Sequence, residues 1–336
     1  MPVGMSEPSL HRVATSDGWK IALHAYAARG TRHVPVVLCH GLACDRMVFD
    51  VSRETSLAWH LTARGYAVFA LELRGNGASE RATVGGPRRF DWCFDDYLEK
   101  DIPAALETVA SITGMREAHW IGHSMGGLLL YAHLATGGSP AIRSGITVGS
   151  SLAYGAANSG FHRLARYKRW LELAPSLPVP VRAAARLSTR LAGALGGRVN
   201  DPFERFNVWT SNTDRALWRR IARDGFHPVP APLMLQLASA MEPGGLRSKD
   251  GGVAYFDGLA SATAPVLALA GDRDAQCPLA AAEGTLSALG SSRREFRAFG
   301  PEFGHADHYG HFDLLMGLRA KTEVFPAIDA WLDEHD

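Results

Sequence analysis

The segment Ala118-His119-Trp120-Ile121-Gly122-His123-Ser124-Met125-Gly126-Gly127-Leu128-Leu129-Leu130-Tyr131 constrains this chain more than any other. An apolar run of strand length meets a second apolar run that carries no helix breaker, with a glycine-flanked serine between them. A strand-to-helix turn this short forces the residue at its apex out of the ordinary backbone regions. Glycines on both sides permit the turn, because they have no Cβ to collide with neighbouring backbone. The G-x-S-x-G pattern thus predicts a serine hydroxyl raised above the end of a buried strand. A helix N-terminus beside it, with free N–H groups, would favour negative charge. Gly-rich turns also arise for packing alone, so the reading needs partners elsewhere in the chain.

The surrounding rhythm fits that picture. A Ser16-Asp17-Gly18 turn joins residues 11–15 and 20–26 as a hairpin. Apolar strand-like runs follow at 34–39, 66–73, 118–121, 142–148, 265–270 and 294–299. Helical stretches fall between or after them at 55–64, 96–113, 128–134, 279–289 and 321–332. This alternation predicts an α/β fold with a doubly wound, mostly parallel sheet. It lapses between 152 and 257, a stretch rich in Pro, Arg and aromatic residues with no clear strand. There Phe161, Leu164, Tyr167, Trp170 and Leu171 have the spacing of one helix face. The expectation is a core domain of residues 1–151 and 258–336, with a helical cap of residues 152–257 inserted over the carboxyl edge of the sheet.

Composition narrows the function classes. The 336 residues carry a net charge of +1, which points to no nucleic-acid or membrane partner. The charge is uneven, however: residues 153–257 hold 15 Lys and Arg against 8 Asp and Glu, and the remainder 20 against 26. A solvated basic surface accounts for this; attraction of an anionic substrate or interface to the mouth of a site is the sharper reading. Cys39, Cys44, Cys93 and Cys277 show no metal-ligand spacing and read as reduced thiols. The first ten residues have no basic-then-apolar leader, and no apolar run reaches spanning length. A cytoplasmic protein without an integral membrane segment is expected.

Acyl transfer to a serine needs a base, a group that orients the base, and N–H donors for the oxyanion. In an open α/β sheet each belongs at strand carboxyl ends. Strand 265–270 ends in Gly271-Asp272-Arg273-Asp274, which offers two carboxylates; Asp272 is close to the strand end, and Asp274 reaches farther toward an imidazole. An Asp-rich turn is the plain alternative for both. After the last strand, Gly304-His305-Ala306-Asp307-His308-Tyr309-Gly310-His311-Phe312-Asp313 holds three candidate bases. Their spacing of three also admits a metal site. His311 ranks first, because an apolar run and the final helix follow it directly and anchor its loop; His305 and His308 rank below it. Strand 34–39 ends in His40-Gly41-Leu42, and the backbone N–H groups of Leu42 and Met125 are the candidate oxyanion donors. His40 and His123 read as packing and loop-holding residues.

Taken together, His40-Gly41-Leu42, Arg74-Gly75-Asn76-Gly77, Gly122-His123-Ser124-Met125-Gly126, Gly271-Asp272-Arg273-Asp274 and Tyr309-Gly310-His311-Phe312-Asp313 resemble the α/β-hydrolase superfamily over nearly the whole chain. The order Ser124, Asp274, His311 is that of the superfamily's triad. The last motif is similar to the acid-lipase branch, whose base is the histidine at the position of His311. The family spacing likewise selects Asp274 over Asp272. Serine at the elbow is unlike the cysteine of polyhydroxyalkanoate synthases and the aspartate of epoxide hydrolases and dehalogenases. The resemblance implies a serine esterase or lipase without metal or organic cofactor, acting through an acyl-enzyme on a small-molecule ester with an apolar acyl part. An acyltransferase, thioesterase or cyclase with the same triad, and a non-catalytic ligand receptor on the same fold, are the alternatives.

Overall fold

A computed structural model describes residues 7–27, 30, 32–155, 157, 159–162, 168–173, 175–194 and 201–336. Its centre is an eight-stranded sheet. The strands are β1 (Ser9–Ala14), β2 (Lys20–Tyr26), β3 (Val36–Cys39), β4 (Val68–Glu72), β5 (Ala118–His123), β6 (Ile142–Val148), β9 (Val266–Gly271) and β10 (Arg294–Phe299). Their spatial order is β1-β2-β4-β3-β5-β6-β9-β10. β1 and β2 form the expected hairpin, β2 runs antiparallel to β4, and every other pair is parallel. The mostly parallel α/β sheet expected from the alternation is the sheet observed.

The central strands show why they could be read from apolar runs. Every residue of β3, β4, β5 and β9 is buried, since helices cover both faces of a parallel sheet. At the edge, β10 presents Arg294 and Arg297 to solvent, charges that discourage pairing with another chain. Helix Leu57–Ala63 starts where the Ser56 side chain accepts the Trp59 N–H, and helix Met125–Ala135 follows β5 with Ser124 alone between them.

Three expectations are corrected. The helix placed at 96–113 begins at Phe94–Asp96, passes through one π-helical turn at Tyr97–Asp101 and continues as Ile102–Thr113. Asp101, at the end of that turn, accepts hydrogen bonds from Arg74 Nε at 2.8 Å, Nη2 at 2.6 Å and the Arg74 N–H at 2.9 Å. Burial pushes its carboxyl up to about 6 against the pull of that arginine. The final helix is two pieces, Ala320–Glu323 and Phe325–His335, because Pro326 has no N–H and starts a helix more readily than it continues one.

The third correction concerns residues 152–257, which contain a short antiparallel ribbon of β7 (Pro178–Val179) and β8 (Val229–Pro230) outside the main sheet. The described helices of this segment are Lys168–Leu173, Val181–Ala194, Pro202–Asn207, Arg215–Asp224 and Ala231–Ala238, with the single turn Tyr255–Gly258 at its end. Leu164 and Tyr167 of the expected helix face, and the Trp170 side chain, lie outside the described residues. All four cysteines are buried free thiols. No helix among the described residues is long and apolar enough to cross a membrane.

Candidate active site

Ser124 sits at the apex between β5 and the following helix with φ 53° and ψ −120°, a region L residues rarely occupy. The glycines around it are required by contact. A Cβ on Gly122 would run into the Gly126 carbonyl, and one on Gly126 into the Cys39 carbonyl at the end of β3. The Ser124 N–H donates to Val148 O at 2.8 Å, and its carbonyl accepts the Ser150 hydroxyl at 2.9 Å. These bonds hold the apex against the end of β6.

His311 and Asp274 meet at the same strand end. His311 Nδ1 lies 2.7 Å from Asp274 Oδ2, and both residues are buried. The other Asp274 oxygen accepts the N–H groups of Gln276 at 2.8 Å and Cys277 at 2.9 Å. A Cβ on Gly149, the residue after β6, would lie 2.9 Å from Asp274 Oδ2 and 3.0 Å from His311 Nδ1. The pair therefore abuts the backbone that anchors Ser124. His311 Nε2 is buried and makes no hydrogen bond among the described residues. It is the ring's remaining proton acceptor.

The other histidines have different work. His123 donates from Nε2 to the His311 carbonyl at 3.1 Å, and the two rings stand 4.7 Å apart. Burial, with the neighbouring His311, holds His123 well below the usual imidazole range and keeps it neutral. His40 is also held down by burial; its Nδ1 donates to Gly41 O at 2.8 Å, and its Nε2 accepts the Leu73 N–H at 3.1 Å. His305 packs on Phe299 and reaches Gly300, while His308 pairs with Asp272. Asp272 also accepts the Tyr309 N–H at 3.0 Å, so it ties down the loop that carries His311. The three spaced histidines thus go to three different partners. No group of His, Cys, Asp or Glu among the described residues is gathered to hold a metal ion.

By sequence Asp313 reads as a residue that caps the following turn or orients the loop, without a chemical role, and the structure makes it a tie. Fully buried, it accepts the Gly310 N–H at 2.9 Å and the Trp209 N–H at 3.1 Å, joining the histidine loop to the 152–257 segment. Burial pushes its carboxyl up to about 7. Two further residues escaped sequence reasoning, Asp45 and His227, whose side chains meet at 2.9 Å. Asp45 left a local trace, a capping residue ahead of Arg46–Val48. His227 left none.

Over Ser124 opens an apolar cavity, with about 690 Å³ of empty space when the open solvent at its mouth is counted. Leu42, Met125 and Leu128 line its sheet side. Tyr154, Phe161, Leu171, Met234, Leu237 and Met241 line the opposite side from the 152–257 segment. A site of this kind, mostly apolar with the half-buried Ser124 in its lining, suits a ligand with a hydrocarbon part.

Comparisons with known proteins bear on the family and the fold. A family model for the alpha/beta hydrolase fold matches residues 34–313. Lipase lipl-1 of Caenorhabditis elegans is 31% identical over 137 residues, 38% of this chain and 34% of that protein. The gastric triacylglycerol lipase of Bos taurus is 27% identical over 155 residues, 43% of this chain and 38% of that protein. The matched stretch thus spans only about a third of those lipases. Among solved structures, a soluble variant of monoglyceride lipase from Saccharomyces cerevisiae superposes with a TM-score of 0.68 at 15% identity, covering 100% of this chain and 98% of its own. An esterase from Thermogutta terrifontis gives 0.63 at 18% identity, covering 98% and 100%. At these identities the two structures speak to fold alone. The family match, spanning the elbow, the acid loop and the histidine loop, establishes that this chain belongs to the α/β-hydrolase fold family.

Proposed function

We propose that this protein hydrolyses carboxylic esters with an apolar acyl part, using Ser124 as nucleophile, His311 as base and Asp274 as the residue that orients it. One observation carries the reading. A histidine bonded to a buried carboxylate through Nδ1, with Nε2 unbonded, abuts Gly149, whose two neighbours Val148 and Ser150 bond the backbone of a strained serine in the lining of an apolar cavity. The Asp274 bond favours the tautomer with hydrogen on Nδ1, leaving the Nε2 lone pair to take the Ser124 proton. Oγ attacks the acyl carbon as that proton moves, and the carbonyl oxygen becomes an oxyanion.

The N–H groups of Leu42 and Met125 are the donors proposed for that oxyanion. Met125 is the first residue of its helix, so its N–H has no partner within the helix. Gly41 presses close enough that a Cβ there would stand 2.8 Å from Ser124 Cβ, which brings the Leu42 turn beside the nucleophile. His311 then gives its proton to the leaving alcohol, and water resolves the acyl-enzyme by the same steps in reverse. Residues 152–257 act as a cap, because their apolar side chains supply one side of the cavity and exclude water from it.

The test is a panel of nitrophenyl esters of graded acyl length, run on wild type and Ser124→Ala. The expected outcome is turnover by wild type that rises from acetyl to medium-chain acyl groups, with loss of at least about 10³-fold in the variant. Undiminished turnover by Ser124→Ala would remove the serine from the mechanism. Acyl transfer to an added alcohol with no free acid formed would replace hydrolysis by transfer.

A further inference from the structure

Phe226 and His227, consecutive residues of the 152–257 segment, touch two separate loops of the core. The Phe226 ring stands 5.9 Å from that of Phe312, the neighbour of His311. His227 goes the other way, to the turn that follows β3. Its backbone N–H donates to Ala43 O at 2.7 Å, and its Nε2 lies 2.9 Å from Asp45 Oδ2. The Gly77 N–H also points at that nitrogen, with 3.2 Å between the two nitrogens, and can donate to it only in the tautomer whose hydrogen is on Nδ1. A carboxylate can only accept, so its contact favours hydrogen on Nε2, with His227 donating to Asp45. His227 is buried, as is Asp45.

The turn it grips has unusual backbone. Ala43 lies at φ 60°, one of only two non-glycine residues with positive φ among the described residues; the other is Ser124. Such a conformation persists where surrounding contacts over-determine it. Two of the contacts on this turn, at Ala43 O and Asp45 Oδ2, come from His227, and Leu42, the proposed oxyanion donor, directly precedes Ala43. Asp45 completes the grip by accepting the Met47 N–H at 2.9 Å, which fixes the exit of the turn.

We propose that His227 is a positioning residue that holds the Gly41–Asp45 turn so that the Leu42 N–H faces the oxyanion formed at Ser124. The inference rests on the hydrolase reading above. It also ties the cap to catalysis: the segment that covers the cavity sets one donor of the site through His227, and meets the base loop through Phe226.

The decisive variants are His227→Phe, which keeps ring bulk and the backbone bond to Ala43 but cannot donate to Asp45, and His227→Gln, whose side-chain amide can still donate. Rates are measured on nitrophenyl butyrate, normalised to sites titrated with a fluorophosphonate. The affinity of a trifluoromethyl ketone, whose adduct carries the oxyanion, is measured beside them. The expected result for His227→Phe is a kcat lower by about 30-fold or more with KM within threefold, and a comparable loss in ketone affinity. His227→Gln should recover kcat to within about fivefold of wild type. Asp45→Ala removes the acceptor on the other side of the contact, and decides the matter if His227→Phe does not fold. A kcat within threefold of wild type in folded His227→Phe or Asp45→Ala, or ketone affinity that does not fall with kcat, overturns the proposal. Ser124→Ala run in parallel separates the two ideas: if it retains activity the hydrolase reading fails, whereas an inactive Ser124→Ala beside a normal His227→Phe defeats only the role of His227.

Discussion

Replacing Asp274 by asparagine tests the site through an outcome that its hydrogen bonds dictate. At Asp274 every partner is a donor: His311 Nδ1 at 2.7 Å on one oxygen, and the N–H groups of Gln276 at 2.8 Å and Cys277 at 2.9 Å on the other. The two backbone donors cannot reverse. An asparagine must keep its carbonyl oxygen toward them and turn its NH₂ toward His311, since the flipped amide would leave two buried N–H groups facing a donor, at about 1–3 kcal/mol each. His311 Nδ1 would then have to accept, and the ring hydrogen would move to Nε2, the nitrogen proposed to receive the Ser124 proton. Amide substitution of the orienting acid in a Ser-His-Asp triad lowers kcat by about 10⁴-fold. That is about 5.4 kcal/mol of transition-state stabilisation at about 1.36 kcal/mol per decade. Because both backbone bonds survive, stability to urea should change by less than about 1 kcal/mol. Steady-state kcat on nitrophenyl butyrate, with denaturation curves of both proteins, measures the two numbers together. Asp272→Asn is the internal comparison: it disturbs His308 and the Tyr309 N–H and leaves the His311 ring bonds in place, so its loss should stay within about 30-fold. A kcat for Asp274→Asn within tenfold of wild type, or a larger loss from Asp272→Asn, would refute the reasoning.

Two further perturbations probe stability rather than chemistry. Asp101→Ala leaves the Arg74 guanidinium, 1% exposed, without its main buried partner. Breaking such a pair costs about 3–5 kcal/mol. At about 2.1 cal/mol/K per residue, the 336-residue chain should lose about 4–7 °C in Tm, and a shift under 1 °C in a thermal melt would show the pair to be dispensable. Asp313 has a folded pKa of about 7, pushed above its ordinary value of 3.8 by burial. Between those values the folded state binds more protons than the unfolded state. The stability this group contributes is therefore present in full below about pH 4 and is lost as pH rises through about 7. Relative to Asp313→Asn, wild type should lose about 1.4 kcal/mol per pH unit between pH 5 and 6; equal slopes in urea titrations of the two proteins would contradict this.

What could be read from the sequence, and what could not, divides along the range of the forces involved. The central strands were legible because burial on both faces leaves a continuous apolar run, and the elbow because backbone crowding at Gly122 and Gly126 admits no side chain. The π turn at Tyr97–Asp101 was hidden, and Arg74, the partner its last residue meets, lies 27 residues away. The grip of His227 on Asp45 spans 182 residues and leaves no local pattern at all on the histidine side. Among His305, His308 and His311 only the anchored position of His311 spoke for it in the sequence, as all three share one loop; in the fold their rings meet different partners. The acid loop carries the same lesson at its smallest scale. Asp272 and Asp274 stand two residues apart in one turn, closed by the Asp274 N–H bonding to Gly271 O. That turn sends the first carboxylate to His308 and the Tyr309 N–H, and the second to the His311 ring. One holds the loop and the other holds the imidazole. Adjacent carboxylates of identical chemistry acquire different roles because the turn, not the residue type, decides what each one can reach.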